Sequence, residues 1–95
     1  MKQSYNNGTS WYRVYSDGWI EQGGELSVAN NNNWAYTTLT FLKAFSNANY
    51  TITATPQEDA YYAAWTFGFN NKTASNIKIG VIHCYGKVSW YACGY

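Results

Sequence analysis

The sequence predicts an all-β domain, a small antiparallel β-sandwich of about seven short strands. Short runs of aromatic and β-branched residues alternate with polar ones, and Asn, Gly, Asp or Pro separates these runs at spacings of about 8–12 residues. No stretch carries the 3.6-residue period of an amphipathic helix. A length of 95 residues corresponds to one domain, residues 1–95. The abrupt start of the sequence suggests a piece cut from a longer protein.

The first strand pair is marked by a tight-turn signal. Ser10–Ser16 and Trp19–Gln22 are both rich in strand-forming residues, and Asp17-Gly18 lies between them. An Asp-Gly pair in this position is a strong hairpin signal, because the turn can require positive φ. Gly23-Gly24 is predicted to break the second strand, which resumes beyond a bulge at Glu25–Ala29.

Two further strands follow an Asn-rich loop. Asn30–Asn33 is a run of Asn and predicts a loop. Tyr36–Leu42 and Tyr50–Thr55 each alternate apolar side chains with Thr, which is typical of half-buried strands. Ser46–Asn49 predicts the turn between them.

The remaining sequence predicts three more strands. Tyr61–Phe69 is predicted to be one alternating strand that carries its aromatic rings on one face. The Asn70–Asn76 turn leads into Ile77–Val81, where aliphatic residues alternate with Lys78 and Gly80. A turn at Tyr85–Lys87 begins the last strand, and its rings are expected to be packed rather than frayed. The rings concerned are Trp65, Phe67 and Phe69 in the first of these strands, and Trp90, Tyr91 and Tyr95 in the last.

Charge and motif content exclude several functions. Only 12% of the residues are charged and the net charge is +1, so the basic groove that nucleic acid requires is lacking. No apolar run approaches the roughly 18 residues of a membrane span, so no membrane insertion is expected. The lone His83 has no metal-ligand spacing, and no phosphate-binding loop occurs. Neither a metal nor a cofactor is predicted.

Nucleophilic and acid–base chemistry are also weakly supported. His83 and Cys84 are neighbours in a predicted strand, so their side chains point to opposite faces. Cys84 and Cys93 are predicted to be unbonded, because their positions about a Gly86 hairpin exceed the roughly 7 Å that a disulfide spans. A glycosidase needs two carboxyls at a defined separation, which two subunits could supply together. The sequence therefore favours a protein that is not an enzyme.

The aromatic residues outnumber the aliphatic ones. Ten Tyr, five Trp and four Phe stand against four Val, five Ile and three Leu. A core of this size cannot bury all the rings, so some are expected at a subunit interface or a binding face, where Tyr and Trp are enriched. Rings together with uncharged polar side chains suit sugars, which present both hydroxyls and apolar C–H faces.

Three blocks of the sequence resemble the C-terminal domain of bacteriophage and prophage tail fibre proteins. Trp11–Gly24, which reads W-Y-R-V-Y-S-D-G-W-I-E-Q-G-G, is similar to the opening motif of that family. Leu39–Thr53 is similar to a second motif, and Trp90–Tyr95 resembles the usual end of the domain. The blocks occur in the expected order, whereas residues 57–87 match no motif of the family.

The resemblance implies a homotrimer, intertwined or side by side, at the distal end of a virion tail fibre made in the host cytoplasm. It implies adsorption to a bacterial surface glycan, such as lipopolysaccharide or capsule, or to an outer-membrane protein. It supplies no catalytic residue. Two alternatives stay open, a polysaccharide depolymerase tip and a purely structural cap that trimerises the fibre.

Receptor contact is predicted on the segments that match no scaffold motif, because binding residues concentrate on loops held by a rigid frame. These segments are the Asn30–Tyr36 loop, the Gln57–Tyr62 loop and the Asn70–Asn76 turn. Rings would stack on the receptor and amides would bind its hydroxyls. The predicted receptor-binding residues are Trp34, Tyr61, Tyr62, Asn31, Asn32, Asn70 and Asn71. The alternative for Tyr61 and Tyr62 is the trimer interface.

Overall fold

The computed structural model describes residues 3–28, 35–57, 65–82 and 86–95. These residues form eight strands and no helix, which confirms the all-β prediction. The strands are β1 (Gln3–Asn6), β2 (Ser10–Val14), β3 (Ile20–Ser27), β4 (Ala35–Thr40), β5 (Thr51–Pro56), β6 (Trp65–Asn70), β7 (Asn76–Ile82) and β8 (Lys87–Gly94). The sequence did not predict β1.

The strands form two antiparallel sheets that pack face to face, as predicted for a sandwich. The large sheet has the order β1-β2-β3-β8-β5, and the small sheet has the order β4-β7-β6. Buried residues of both sheets meet in one apolar core, in which the rings of Phe41 and Trp90 lie 5.7 Å apart. From the small sheet, Ile77 and Ile79 are fully buried in this core.

The β2–β3 hairpin forms at the predicted turn. Gly18 has a φ of +94°, which a glycine adopts without steric cost. The Asp17 carboxylate accepts a 3.0 Å hydrogen bond from the Trp19 amide, and the Tyr15 amide donates to the Trp19 carbonyl at 2.8 Å. The turn chemistry of Asp-Gly therefore sets the register of the two strands.

Gly23-Gly24 does not break β3, so the predicted interruption and bulge are wrong. β3 pairs with β8 in unbroken register from Ile20 to Ser27. The glycines are needed for packing instead. A Cβ at Gly23 would lie 2.8 Å from the Trp90 carbonyl oxygen and 3.2 Å from the Trp11 indole. The missing side chain lets the Trp11 ring lie over β3.

The predicted alternation along β6 is also wrong. The pairing of β6 with β7 shifts register between Thr66 and Gly68, which interrupts the period of two. Residues 61–64 of the predicted strand lie outside the described residues. On β7 the prediction is confirmed, since Ile77, Ile79 and Val81 are buried together.

The rings of the last strand divide between its two faces. Trp90 is 5% exposed, whereas Tyr91 is 38% and Tyr95 54% exposed. The prediction that the end of the chain is packed is confirmed, since Trp90 enters the core while the more exposed Tyr91 and Tyr95 rings contact Trp11 and Trp19 on the opposite face. Cys93 is a half-buried free cysteine, and Cys84 lies outside the described residues.

The sandwich has two distinct ends. At one, which we call the turn end, the Tyr50 hydroxyl of the large sheet donates to the Thr73 carbonyl at 2.7 Å. At the opposite end, which we call the connection end, the Val28 amide donates to the Gly86 carbonyl at 2.9 Å. The Gln57 amide donates to the Lys87 carbonyl there, also at 2.9 Å. The hairpin turn at Asp17 and Gly18 lies at the turn end.

Candidate functional site

The large sheet presents a ring-rich surface on the side away from the small sheet. We call this surface, carried by β2, β3 and β8 and the residues that continue them, the outer face. Alternation puts one set of side chains there, while the residues between them enter the core. Toward the turn end the outer-face residues are Trp11, Arg13, Tyr15, Trp19, Glu21, Gly23, Tyr91, Cys93 and Tyr95, and Glu25 and Ser89 continue the face toward the connection end.

One row of the outer face is built around a glycine. Gly23 pairs with Trp11 on one side and with Tyr91 on the other. The two rings lie 6.2 Å apart between centroids and are tilted by 46°. The Arg13 guanidinium carbon lies 5.5 Å from the centroid of the Trp11 ring, within cation–π range. In this row the Trp11 ring lies over Gly23, between the exposed Tyr91 and the Arg13 guanidinium.

The next row centres on a carboxylate that binds two phenols. Glu21 accepts a hydrogen bond from the Tyr15 hydroxyl at one oxygen and from the Tyr91 hydroxyl, at 2.6 Å, at the other. β3 positions Glu21, the hairpin positions Tyr15, and β8 positions Tyr91. Residues 70 positions apart in sequence are thereby joined by the register of β3 with β8.

These hydrogen bonds fix the protonation states of the cluster. The bond from Tyr15, followed by that from Tyr91, lowers the pKa of Glu21 below its ordinary value of 4.5. The same bonds raise the pKa of Tyr15 and of Tyr91 above the ordinary value of 10.0, with desolvation adding to the effect. At neutral pH the cluster is therefore one carboxylate held by two uncharged phenols.

A third row lies beside the hairpin turn. The Trp19 and Tyr95 rings meet edge to face with centroids 5.0 Å apart. The Tyr95 hydroxyl lies 3.5 Å from the Asp17 carboxylate, and Ser46 holds the main-chain oxygen of Tyr95 through its amide at 2.7 Å. Next to these rings is a shallow depression of about 540 Å³ lined by Tyr15, Ser16, Asp17, Trp19 and Glu21.

The outer face combines exposed rings with a carboxylate that is held in its ionised form. A general acid needs a raised carboxyl pKa, and hydrogen bonding shifts the pKa of Glu21 the other way. Within residues 3–28, 35–57, 65–82 and 86–95, no group of His, Cys, Asp or Glu side chains could hold a metal ion. In the same part of the chain no helix is long and apolar enough to cross a membrane.

Of the seven predicted receptor-binding residues, two are described. Asn70 ends β6, and its side-chain oxygen accepts a 2.9 Å bond from the amide of Asn71, which has a φ of +52°. Both are exposed and lie at the turn end. Trp34, Tyr61, Tyr62, Asn31 and Asn32 lie outside the described residues.

The predicted segments do not all adjoin one end of the sandwich. Val28 precedes the segment with Asn31, Asn32 and Trp34, and Gln57 precedes the one with Tyr61 and Tyr62. Val28 and Gln57 both lie at the connection end. The turn of Asn70 and Asn71 is fixed at the other end, where the Lys72 ammonium donates to the Tyr50 carbonyl at 2.6 Å. Whether any of these residues contacts a receptor stays a prediction.

The outer face was not predicted from the sequence, because its residues lie in the motifs that were interpreted as scaffold. The sequence pattern that indicates this face is alternation. Trp11, Arg13 and Tyr15 alternate with residues of the inner face in the first strands, and Tyr91 and Tyr95 share one face at the end of the chain. A strand that alternates in this way packs one face on the core and exposes polar and aromatic side chains on the other. The sequence did not reveal that Glu21 would join these strands.

Solved structures of pyocin tail fibres share this fold. The N-truncated R2-type pyocin tail fibre matches with a TM-score of 0.77 and 22% identity, over 98% of this chain and 38% of that one. The N-truncated R1-type pyocin tail fibre matches with a TM-score of 0.69 and 15% identity, over 98% of this chain and 86% of that one. A P. aeruginosa R1 pyocin fibre fragment matches with a TM-score of 0.69 and 17% identity, over 98% of this chain and 28% of that one.

At these identities the likeness shows the fold. The chain spans little more than a third of the R2-type structure. A comparison with curated proteins finds no match. The family model "tail fiber protein gp53-like, C-terminal" matches residues 13–95, so the chain belongs to this family of tail fibre C-terminal domains. The resemblance noted in the sequence is thereby confirmed.

Proposed function

We propose that this domain is the receptor-binding tip of a phage or phage-like tail fibre, and that it binds a host surface glycan during adsorption. The observation that carries the proposal is the outer face of a tail fibre C-terminal domain. This face combines exposed Tyr91 and Tyr95 rings with the hydrogen-bonding groups of Glu21, Asp17 and Arg13. The domain acts at the distal end of the particle, after synthesis in the host cytoplasm.

Binding without catalysis agrees with the chemistry of the described carboxylates. The Glu21 carboxylate is engaged by two phenols, which stabilise its ionised form. Glu25 is paired with Lys87 at 3.5 Å on the surface. Neither arrangement supplies the protonated acid that glycoside cleavage requires. Part of the proposal is therefore that the domain contributes affinity and leaves the glycan intact.

We infer that the working form is a homotrimer. The excess of rings over aliphatic residues supports it, as does the edge strand β1, in which all four residues are exposed. An exposed edge strand offers unpaired backbone groups to another chain. Three copies side by side would multiply weak sugar contacts by avidity.

Attachment to host cells tests the function. The purified domain is labelled and mixed with cells of the host that the parent particle adsorbs to, and with an otherwise identical strain that lacks the surface glycan. We expect saturable attachment to the first strain, loss on the second, and competition with the particle. Attachment to both strains equally would point to an outer-membrane protein as receptor.

The same samples distinguish the two alternatives. Release of reducing ends from the host polysaccharide would identify a depolymerase. Absence of both attachment and cleavage would identify a structural cap. For assembly, light scattering coupled to size exclusion should give three times the 10.8 kDa chain mass, and a mass of one chain would contradict the homotrimer.

A further inference from the structure

The Glu21 cluster leaves a particular set of hydrogen-bonding groups for a ligand. Both phenol protons are already donated to Glu21, so neither tyrosine has a proton to offer. A carboxylate has about four acceptor positions, and the two phenols fill two of them. The centre of the outer face therefore presents acceptors, and a ligand there must donate hydrogen bonds.

The charges around the cluster restrict the ligand further. A cation would suit the acceptors but would meet the Arg13 guanidinium, because Arg13 pairs with Glu21 across β2 and β3 and its side chain lies over Trp11. An anion would suit Arg13 but would meet the Glu21 and Asp17 carboxylates that line the same depression. An uncharged ligand with several hydroxyls donates to Glu21 and accepts from Arg13 without either repulsion.

The rings set the shape of the ligand. The Trp11–Tyr91 row and the Trp19–Tyr95 row flank the Glu21 row on its two sides. Successive residues on one face of a strand are about 7 Å apart, so the two ring rows lie about 13 Å from each other. That span accommodates more than one sugar ring, with apolar C–H faces against the exposed tyrosines.

We propose that Glu21, oriented by Tyr15 and Tyr91, is the central subsite for an oligosaccharide of neutral sugars lying along the outer face. The proposal rests on the proposed function and deepens it by naming the sugar class and the residues. In this arrangement Glu21 accepts from sugar hydroxyls, Tyr91 packs against a sugar ring, and Arg13 donates to ring or hydroxyl oxygens. The site differs from the loop residues predicted from the sequence.

The test uses the polysaccharide purified from the cells to which the parent domain attaches. Affinity is measured for the parent, Glu21→Gln and Tyr91→Ala, with Glu25→Gln as matched control. Glu25 lies on the same strand and the same face, four residues from Glu21, and ion-pairs with Lys87. We expect Glu21→Gln and Tyr91→Ala to weaken binding at least tenfold and Glu25→Gln to stay within twofold of the parent.

Two further readouts separate ligand contact from a structural role. Binding should shift the indole N–H resonances of Trp11 and Trp19, which flank the cluster. Chemical reduction of uronic acids in the polysaccharide to neutral sugars should leave the affinity unchanged. Should Glu21→Gln fail to fold, Tyr15→Phe and Tyr91→Phe each remove one hydroxyl that orients Glu21 and keep the ring, and should weaken binding.

Each other outcome overturns a specific statement. Parental affinity in Glu21→Gln overturns the subsite, and loss of affinity in Trp34→Ala or Tyr61→Ala alone would move the site to the predicted loops. Loss of binding after carboxyl reduction overturns the neutral-sugar class. A changed oligomeric mass in Glu21→Gln or Tyr91→Ala would show that the outer face packs against another copy. Failure of the parent to attach to cells contradicts the proposed function itself.

Discussion

The two faces of the large sheet use the same strands for different purposes. Trp90 and Tyr91 are neighbours in β8, yet Trp90 is 5% exposed in the core and Tyr91 is 38% exposed and bound to Glu21. On β3, Ile20 enters the core and Glu21 does not. The inner face packs against the small sheet and forms the core, as any sandwich requires. The outer face is free of that requirement, so its residues can be chosen for contact with another molecule.

Among the described residues, one fully buried polar side chain lies on the inner face, and it binds a loop. Gln22 is fully buried between Ile20 and Gly24 on β3. Its side-chain amide donates to the Lys43 carbonyl at 2.6 Å, and its side-chain oxygen accepts from the Lys43 amide at 3.2 Å. A buried polar group is tolerated when its hydrogen bonds are satisfied. Gln22 therefore ties residues 41–50 to the large sheet.

The largest effect that separates the two faces should come from Trp90→Ala compared with Tyr91→Ala. Removing the buried indole deletes contacts with Phe41 and leaves a cavity, at a cost of about 3–5 kcal/mol in the free energy of unfolding. Removing the exposed phenol should cost less than about 1 kcal/mol. Urea unfolding at fixed protein concentration measures both. Equal losses would contradict the division of roles between the faces.

Gln22→Leu should have an intermediate effect. The substitution keeps the volume but leaves the Lys43 amide and carbonyl without their partner, at a cost of about 1–3 kcal/mol for a buried group. Gln57→Leu is the control, because Gln57 is exposed and its 2.6 Å bond to Ser89 is replaced by water. Hydrogen exchange should be faster at the Lys43 amide in Gln22→Leu. Unchanged stability and exchange would contradict the fastening role.

The smallest effect should be the pH dependence of Glu21→Gln. The pKa of Glu21 is lower in the folded protein than its ordinary 4.5, so its contribution to stability is present above about pH 4.5 and is lost as pH falls through the folded value. The difference in Tm between parent and variant should therefore be largest near neutral pH and shrink in acid. A difference that is the same at pH 3 and pH 7 would rule out the phenol–carboxylate bonds as its source.

Local sequence signals predicted the elements that local chemistry determines. The Asp17-Gly18 turn and the alternation of Ile77, Ile79 and Val81 were both confirmed, since each depends on residues close in sequence. β1 was missed because Gln3–Asn6 has no apolar alternation and is held by its backbone pairing with β2. The glycines at 23 and 24 were misread because the groups that crowd them come from elsewhere in the chain, the Trp11 ring at Gly23 and Thr9 and Ser10 at Gly24.

The candidate site illustrates the same limit. Tyr15 and Glu21 are joined by a hairpin that the sequence predicted. Tyr91 joins them only through the register of β3 with β8, which places Gly23 opposite Tyr91. Residues 70 apart in sequence give no local pattern that reveals such a contact. Alternation predicted that a second face would exist, and cross-strand register determined what that face contains.

The connection end has a consequence for variation between related fibres. Val28, Gln57 and Gly86 adjoin the segments 29–34, 58–64 and 83–85, and main-chain hydrogen bonds fix them at that one rim. The strand pairings of both sheets, and the outer face, are made by other residues. A change of sequence in any of the three segments therefore enters the described frame at one rim, at the opposite end of the sandwich from the Asp17-Gly18 turn.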